Sequence, residues 1–211
     1  AVVDIGLEGG RTGTRWRRPA IWAPTGVPRL PNVVLIVVDT LRADFVGAYG
    51  ASATTPAMDQ LAARGVLFER AFSHIPITGP SHSSLFTGRL PFEHGVHNNS
   101  QILPEGAATL AESMAASGRA TAAVVSLGVL RSAFGFGQGF DSYGDRFGRD
   151  WMKDAAEVNR EALAWLAGVG DAPYFLFVHY SDPHEPYAPP TRSYPRIVLT
   201  LDGETVGSLA A

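Results

Sequence analysis

Apolar residues fill every position from Val33 to Val38, with no alternation. Such a run predicts a strand covered on both faces, as in the middle of a parallel sheet. Tyr174–Val178 reads the same way, and Thr121–Ser126 is a third candidate strand. Between them the period lengthens to that of helices. Thr55-Pro56 opens one through Arg64, with Thr55 as N-cap, Gly65 as stop and Met58, Leu61 and Ala62 as the buried stripe. Shorter helices are expected at Pro80–Phe86 and at Ala107–Ser117, the latter stopped by Gly118. Met152–Ala167 carries Ala155, Val158, Ala162 and Leu166 on one face. A short strand is expected at Val66–Phe68, loop over 131–150, and a hairpin at Ile197–Leu201, Asp202-Gly203 and Thr205-Val206. Residues 1–31, rich in Gly, Arg and Pro, read as an arm before a domain spanning 32–211. Strands alternating with helices predict an α/β fold with a mostly parallel central sheet flanked by helices.

In such sheets ligands bind beyond the carboxyl ends of the strands. Asp39 closes the first strand, and His179, Asp182 and His184 follow the strand at 174–178. Two segments far apart in sequence therefore converge on one edge. Asp39 is a candidate metal ligand, or caps a following turn; Asp44 is an alternative further along. Thr78, followed by Gly79-Pro80, falls at the start of a short helix. Its hydroxyl becomes a nucleophile if a base or metal activates it, and the helix end favours an oxyanion there. Capping that helix is its alternative role. Ser81 is the second candidate, in a segment like a nucleophile elbow that lacks the closing glycine. His82 would orient the nucleophile or bind an oxyanion, or is structural. His184, held between Pro183 and Pro186, would contact a substrate oxygen or protonate a leaving group, or belongs to a rigid surface loop. His179, His94 and His97 are read as structural.

Composition narrows the classes. With 211 residues, 45% hydrophobic and 18% charged, the chain suits one well-buried core. The net charge of −3 gives no reason to expect nucleic acid. Residues 1–30 hold five arginines against Asp4 and Glu8, a balance of +3, so the remainder carries −6. The arm is read as a solvated leader. The longest apolar run is too short for a transmembrane segment. Without cysteine there is no disulfide, thiolate nucleophile or zinc–thiolate site. The start at Ala1 fits a cleaved signal peptide or a trimmed chain equally, so export to the periplasm stays open.

Residues 32–44 (NVVLIVVDTLRAD), 55–66 (TPAMDQLAARGV), 79–88 (GPSHSSLFTG) and 94–96 (HGV) together resemble the N-terminal part of sulfatases. Gly139-Phe140-Asp141 and Asp182-Pro183-His184-Glu185-Pro186-Tyr187 extend the resemblance over about 32–190. It implies the alkaline-phosphatase superfamily fold, a divalent metal held partly by Asp39 and Thr78, a nucleophile at Thr78 and a substrate-contacting histidine at His184. Calcium is the first expectation for the metal, with manganese, magnesium and zinc as alternatives.

Departures from the family pattern sharpen the expectations. The family converts Cys or Ser at the nucleophile position to formylglycine; with Thr78 there, no formylglycine is expected. A phosphate ester then stands beside a sulfate ester as substrate, small-molecule or glycan. His82 replaces the family arginine, Thr40 a second aspartate, and Ser126-Leu127-Gly128 a Lys-x-His motif. The family's remaining metal ligands come from a later segment, so the chain reads as the first half of a catalytic domain. The leading expectation is a metal-dependent hydrolase using Thr78, His184 and His82. The alternatives are a catalytically silent sulfatase-fold binding domain and a phosphoethanolamine-type transferase. A serine esterase using Ser81 ranks below these.

Overall fold

A computed structural model of the chain describes residues 30–52, 55–148, 150–186, 197–201 and 204–209. The arm assigned to 1–31 lies almost wholly outside them, as do Tyr187 and the Asp202-Gly203 turn. In chain order the main elements are β1 (Val33–Val38), α1 (Pro56–Arg64), α2 (Thr78–Thr87), α3 (Pro91–His94) and α4 (Leu110–Ala116). They continue with β2 (Ala120–Val124), β3 (Ser142–Gly144), α5 (Ala155–Val169), β4 (Tyr174–Tyr180), β5 (Ile197–Leu201) and β6 (Glu204–Leu209). Four strands form one sheet in the order β1-β4-β2-β3, every pair parallel. β5 and β6 make the antiparallel hairpin expected of the tail.

The unbroken apolar runs of β1 and β4 follow from burial of both sheet faces. On one face Val34, Ile36 and Val38 pack with Leu176, Val178 and Tyr180 against Ala155, Val158 and Ala162 of α5. On the other, Val33, Leu35 and Val37 pack with Phe175 and Phe177 against Phe86 of α2 and Ala111 of α4. Each fully buried Phe or Leu contributes roughly 1.5–3 kcal/mol. The Phe177 ring meets Phe86 edge-on, with centroids 4.9 Å apart.

Several expectations need correction. No strand forms at Val66–Phe68; Val66 is 79% and Phe68 70% exposed. The Met58, Leu61 and Ala62 stripe of α1 is not buried, since α1 has no buried residue. Its amphipathic period marked a helix without fixing what covers it. The stretch read as loop holds β3, too short for a periodic signal. α5 starts at Ala155 and not Met152, because Asp154 and Glu157 cap each other's backbone N–H groups. That leaves Lys153 before the helix, 3% exposed, its Nζ 2.8 Å from Glu161 Oε2 and 2.9 Å from the Gly144 carbonyl.

The Gly139-Phe140-Asp141 motif has a structural role. Thr121 N–H donates to Asp141 Oδ2 at 3.1 Å, and Thr121 Oγ1 to the Gly139 carbonyl at 2.8 Å, which clasps the start of β2. Gly139 sits at φ +81°, and a Cβ there would run into the backbone of Ala111 and Glu112. Gly139→Ala is therefore expected to lose at least about 2 kcal/mol of stability in urea denaturation followed by circular dichroism.

Candidate functional site

Strand alternation decides which side chains meet. Val37 lies opposite His179 in the β1–β4 register, and Asp39 N–H continues the pairing by donating to the Tyr180 carbonyl at 2.8 Å. Asp39, two residues past Val37, thus projects to the face that carries His179. α2 covers that same face and brings Thr78 and His82. Thr78 lies close enough to the Asp39 carboxylate for its hydroxyl to favour the ionised form. The His82 ring lies edge-on to His179, with centroids 4.9 Å apart. Asp39, Thr78, His82 and His179 form one cluster at the carboxyl edge of the sheet.

Electrostatics within the cluster are uneven. Burial pushes the Asp39 carboxyl up. The His179 contact outweighs this, helped by His82 and by the Thr78 hydroxyl, so the net shift is below the ordinary 3.8. Asp39 stays ionised at neutral pH. Its Oδ2 is 3.4 Å from His179 Nε2, longer than an ordinary hydrogen bond. His82 is 5% exposed, and burial beside His179 holds its imidazole down to about 4. Its Nδ1 donates to the Thr78 carbonyl at 2.8 Å. The Nε2 lone pair is therefore bare, and His82 is neutral near pH 7.

His179 is fully buried; Ser126 Oγ lies 2.9 Å from its Nδ1 and donates to Ser181 Oγ at 2.8 Å. Asp39 Oδ2, His82 Nε2 and His179 Nε2 are buried without a hydrogen-bond partner among the described residues. Native structures leave few such atoms. Thr40, directly after Asp39, sits at φ 60° with its Oγ1 donating to the Asp39 carbonyl at 2.7 Å. A β-branched residue at positive φ is strained by about 1–3 kcal/mol, and such strain gathers at functional sites.

The helix that delivers Thr78 begins there, with Ile77 at the N-cap, so no local side chain can cap it. Asn99, from the loop after α3, accepts the Gly79 N–H at 2.7 Å instead. Sequence reading missed Asn99, Ser126 and Ser181. The Asn99 bond spans twenty residues, Ser126 lies at a position defined only by a missing motif, and Ser181 is set against it only by strand pairing. The rival hydroxyls are engaged elsewhere. Ser81 Oγ pairs with Ser73 Oγ at 3.0 Å, Ser83 with the Gly79 carbonyl, Ser84 with His94 Nε2 at 3.1 Å and Thr87 with the Ser83 carbonyl. Asp44 forms an exposed pair with Arg42 and does not join the cluster.

His184 sits on the turn closed by its N–H to the Ser181 carbonyl, edge-on to the half-exposed Trp151 with centroids 6.2 Å apart. Asp182 on the same turn accepts the Ala155 N–H at 3.1 Å and so tethers the turn to α5. Burial raises its carboxyl above the ordinary value.

A hard divalent cation fits the oxygen donors Asp39 and Thr78, and the partnerless Asp39 Oδ2 is the kind of atom a cation satisfies. Among the described residues no group of three or more His, Cys, Asp or Glu is arranged to hold a metal, so this is part of a ligand shell. No described helix is long and apolar enough to cross a membrane.

This fold, a parallel α/β sheet with its cluster at the carboxyl edge, is the alkaline-phosphatase and sulfatase fold. The sulfatase family model matches residues 31–198, and the chain belongs to the sulfatase family. It is 39% identical over 109 residues to human arylsulfatase A, covering 48% of this chain and 22% of that protein. A solved structure in complex with its substrate D-glucosamine-2-N,6-O-disulfate superposes with TM-score 0.67 at 21% identity, over 75% of this chain and 36% of the other. The phosphonate monoester hydrolase of Agrobacterium radiobacter gives TM-score 0.65 at 24% identity, over 77% and 43%. The chain spans less than a quarter of the length of the curated relatives it matches.

Two outcomes follow for the cluster. Because His82 is held below its ordinary 6.5 in the fold, the unfolded chain takes up its proton first as pH falls. Its contribution is full above about pH 6.5 and declines down to about pH 4, by on the order of 3 kcal/mol. His82→Asn, which keeps a donor toward the Thr78 carbonyl, should flatten stability-versus-pH curves across that window. Asn99→Ala should cost about 1 kcal/mol in thermal or urea unfolding, comparable with loss of an N-cap side chain.

Proposed function

We propose that the protein acts as a divalent-cation-dependent hydrolase of sulfate esters, with unmodified Thr78 as nucleophile. The observation that carries this reading is the placing of Thr78, at the first turn of α2, beside the ionised Asp39 carboxylate in a member of the sulfatase family. When bound, the cation supplies positive charge that lowers the barrier to attack and neutralises the ester oxygens.

Thr78 Oγ1 attacks sulfur in line with the leaving oxygen. The hydroxyl proton passes to Asp39. The sulfur–oxygen bond to the departing alcohol breaks, and His184 protonates that oxygen. Water then attacks the sulfate ester on Thr78, releases inorganic sulfate and restores the hydroxyl. His82, neutral at the pH of turnover, accepts a proton donor at Nε2 and adds no charge. Charge balance therefore favours a monoanionic ester, such as a sulfate monoester, over a dianionic phosphate monoester. A sulfated sugar is the substrate class suggested by the sulfated glucosamine bound in a protein of the same fold.

A paired assay of the full-length protein on aryl sulfate, phosphate monoester and phosphate diester tests this, with and without EDTA. EDTA-sensitive sulfate turnover is expected, reduced at least about 10³-fold in Thr78→Ala and partly retained in Thr78→Ser. Full activity in Thr78→Ala would refute the nucleophile. Turnover of phosphate diesters alone would move the substrate class, and silence on all three would favour a binding role for this fold.

A further inference from the structure

His179 was read from sequence as a packing residue. Its surroundings give it more. The ring is completely buried, yet among the described residues only one of its nitrogens has a hydrogen-bond partner: Nδ1, on Ser126 Oγ at 2.9 Å. Ser126 is itself anchored by Ser181 Oγ at 2.8 Å, and both serines are buried. This two-serine buttress holds the ring from behind, with the His82 ring against its side. The other nitrogen, Nε2, faces Asp39 Oδ2 at 3.4 Å. A histidine needed only to fill space would not require a dedicated hydroxyl pair at one nitrogen and a carboxylate at the other. An apolar residue of similar volume would fill the position without the desolvation cost.

We infer that His179 is a positioning residue: braced by Ser126 and Ser181, it fixes the rotamer of Asp39 so that the carboxylate meets the Thr78 hydroxyl and a divalent cation in one geometry. The inference rests on Asp39 and Thr78 being the reacting pair. Asp39 stands at the end of a strand, beside a strained Thr40, and is 11% exposed; His179 and Thr78 are its side-chain contacts in the cluster. Partners of this kind behind a ligating carboxylate typically change metal affinity or activity by 10- to 100-fold when removed.

Two substitutions separate positioning from packing. His179→Asn places an amide near Nδ1, so it keeps the Ser126 side and gives up the Asp39 side. His179→Gln reaches the Nε2 position, so it keeps a polar amide against Asp39 and gives up the Ser126 side. Both are made in the full-length protein and measured for thermal stability, for kcat and KM on aryl sulfate, and for Ca2+ affinity by calorimetry with no substrate present. The expected result is a folded His179→Asn with kcat and Ca2+ affinity each lowered at least about 10-fold and KM little changed. His179→Gln should recover most of both. Equal behaviour of the two variants, or wild-type kcat and Ca2+ affinity in a folded His179→Asn, would overturn the assignment. Failure of the functional reading is distinguishable: full activity in Thr78→Ala removes the reacting pair, while the Ca2+ comparison still judges His179.

Discussion

The site depends on the parallel register of β1 with β4. Val37 opposite His179 fixes which residues share a face, and so sends Asp39 toward α2. A slip of one residue would turn Asp39 toward the α5 face, among Val34, Ile36 and Val38, where an ionised carboxylate would be buried without a partner. The apolar side chains at 33, 35, 37, 175 and 177 hold this register by packing under α2 and α4. The hydrophobic pattern that builds the core therefore also aims the chemistry, and α2 reaches the sheet with Thr78 already over Asp39.

Stability is given up locally at this edge. Leaving a buried polar atom without a partner costs about 1–3 kcal/mol, and three such atoms, on Asp39, His82 and His179, lie together. The left-handed backbone of Thr40 adds to them. Apart from Asp182 Oδ2, which also lacks a partner among the described residues, buried polar groups elsewhere are matched, as in Lys153 with Glu161 and the Gly144 carbonyl, Tyr180 Oη with Asn159 at 2.6 Å, and His94 with Ser84 and the Val96 N–H. The contrast separates the histidines of the chain. His94 has both nitrogens engaged in holding α2 and α3 together, whereas His82 and His179 each keep one nitrogen turned, without a hydrogen bond, into the cluster.

Much of this was legible in the residues. The runs at 33–38 and 174–178 gave the two central strands, and parallel-sheet geometry then placed Asp39 and the 179–184 turn on one edge. The start of α1 was read from Thr55-Pro56, whereas the Asp154–Glu157 box went unread and periodicity alone started α5 three residues early, at Met152. What stayed hidden is non-local. Asn99 caps a helix twenty residues away, Ser126 and Ser181 converge only through pairing across β2 and β4, and β3 is three residues long. The stripe of α1, at most partly buried, shows the converse limit. Periodicity reports an apolar face, and only tertiary contact decides whether it is covered.

Helix geometry also distinguishes the reading of Thr78 from that of a serine hydrolase. Thr78 and His82 are four residues apart, on one face of α2. In a nucleophile–base pair that spacing would aim the imidazole at the hydroxyl. Here Nδ1 is spent on the Thr78 carbonyl, and the ring lies edge-on to Phe177 and His179. Ser81, the alternative nucleophile, faces Ser73, which is no base. The group beside the Thr78 hydroxyl is therefore the carboxylate at the end of β1, held below its ordinary pKa. A carboxylate so stabilised is a weak base on its own. A hydroxyl beside it becomes a competent nucleophile when a cation shares the load. The same desolvation that leaves Asp39 Oδ2 without a partner makes it a good place for that cation.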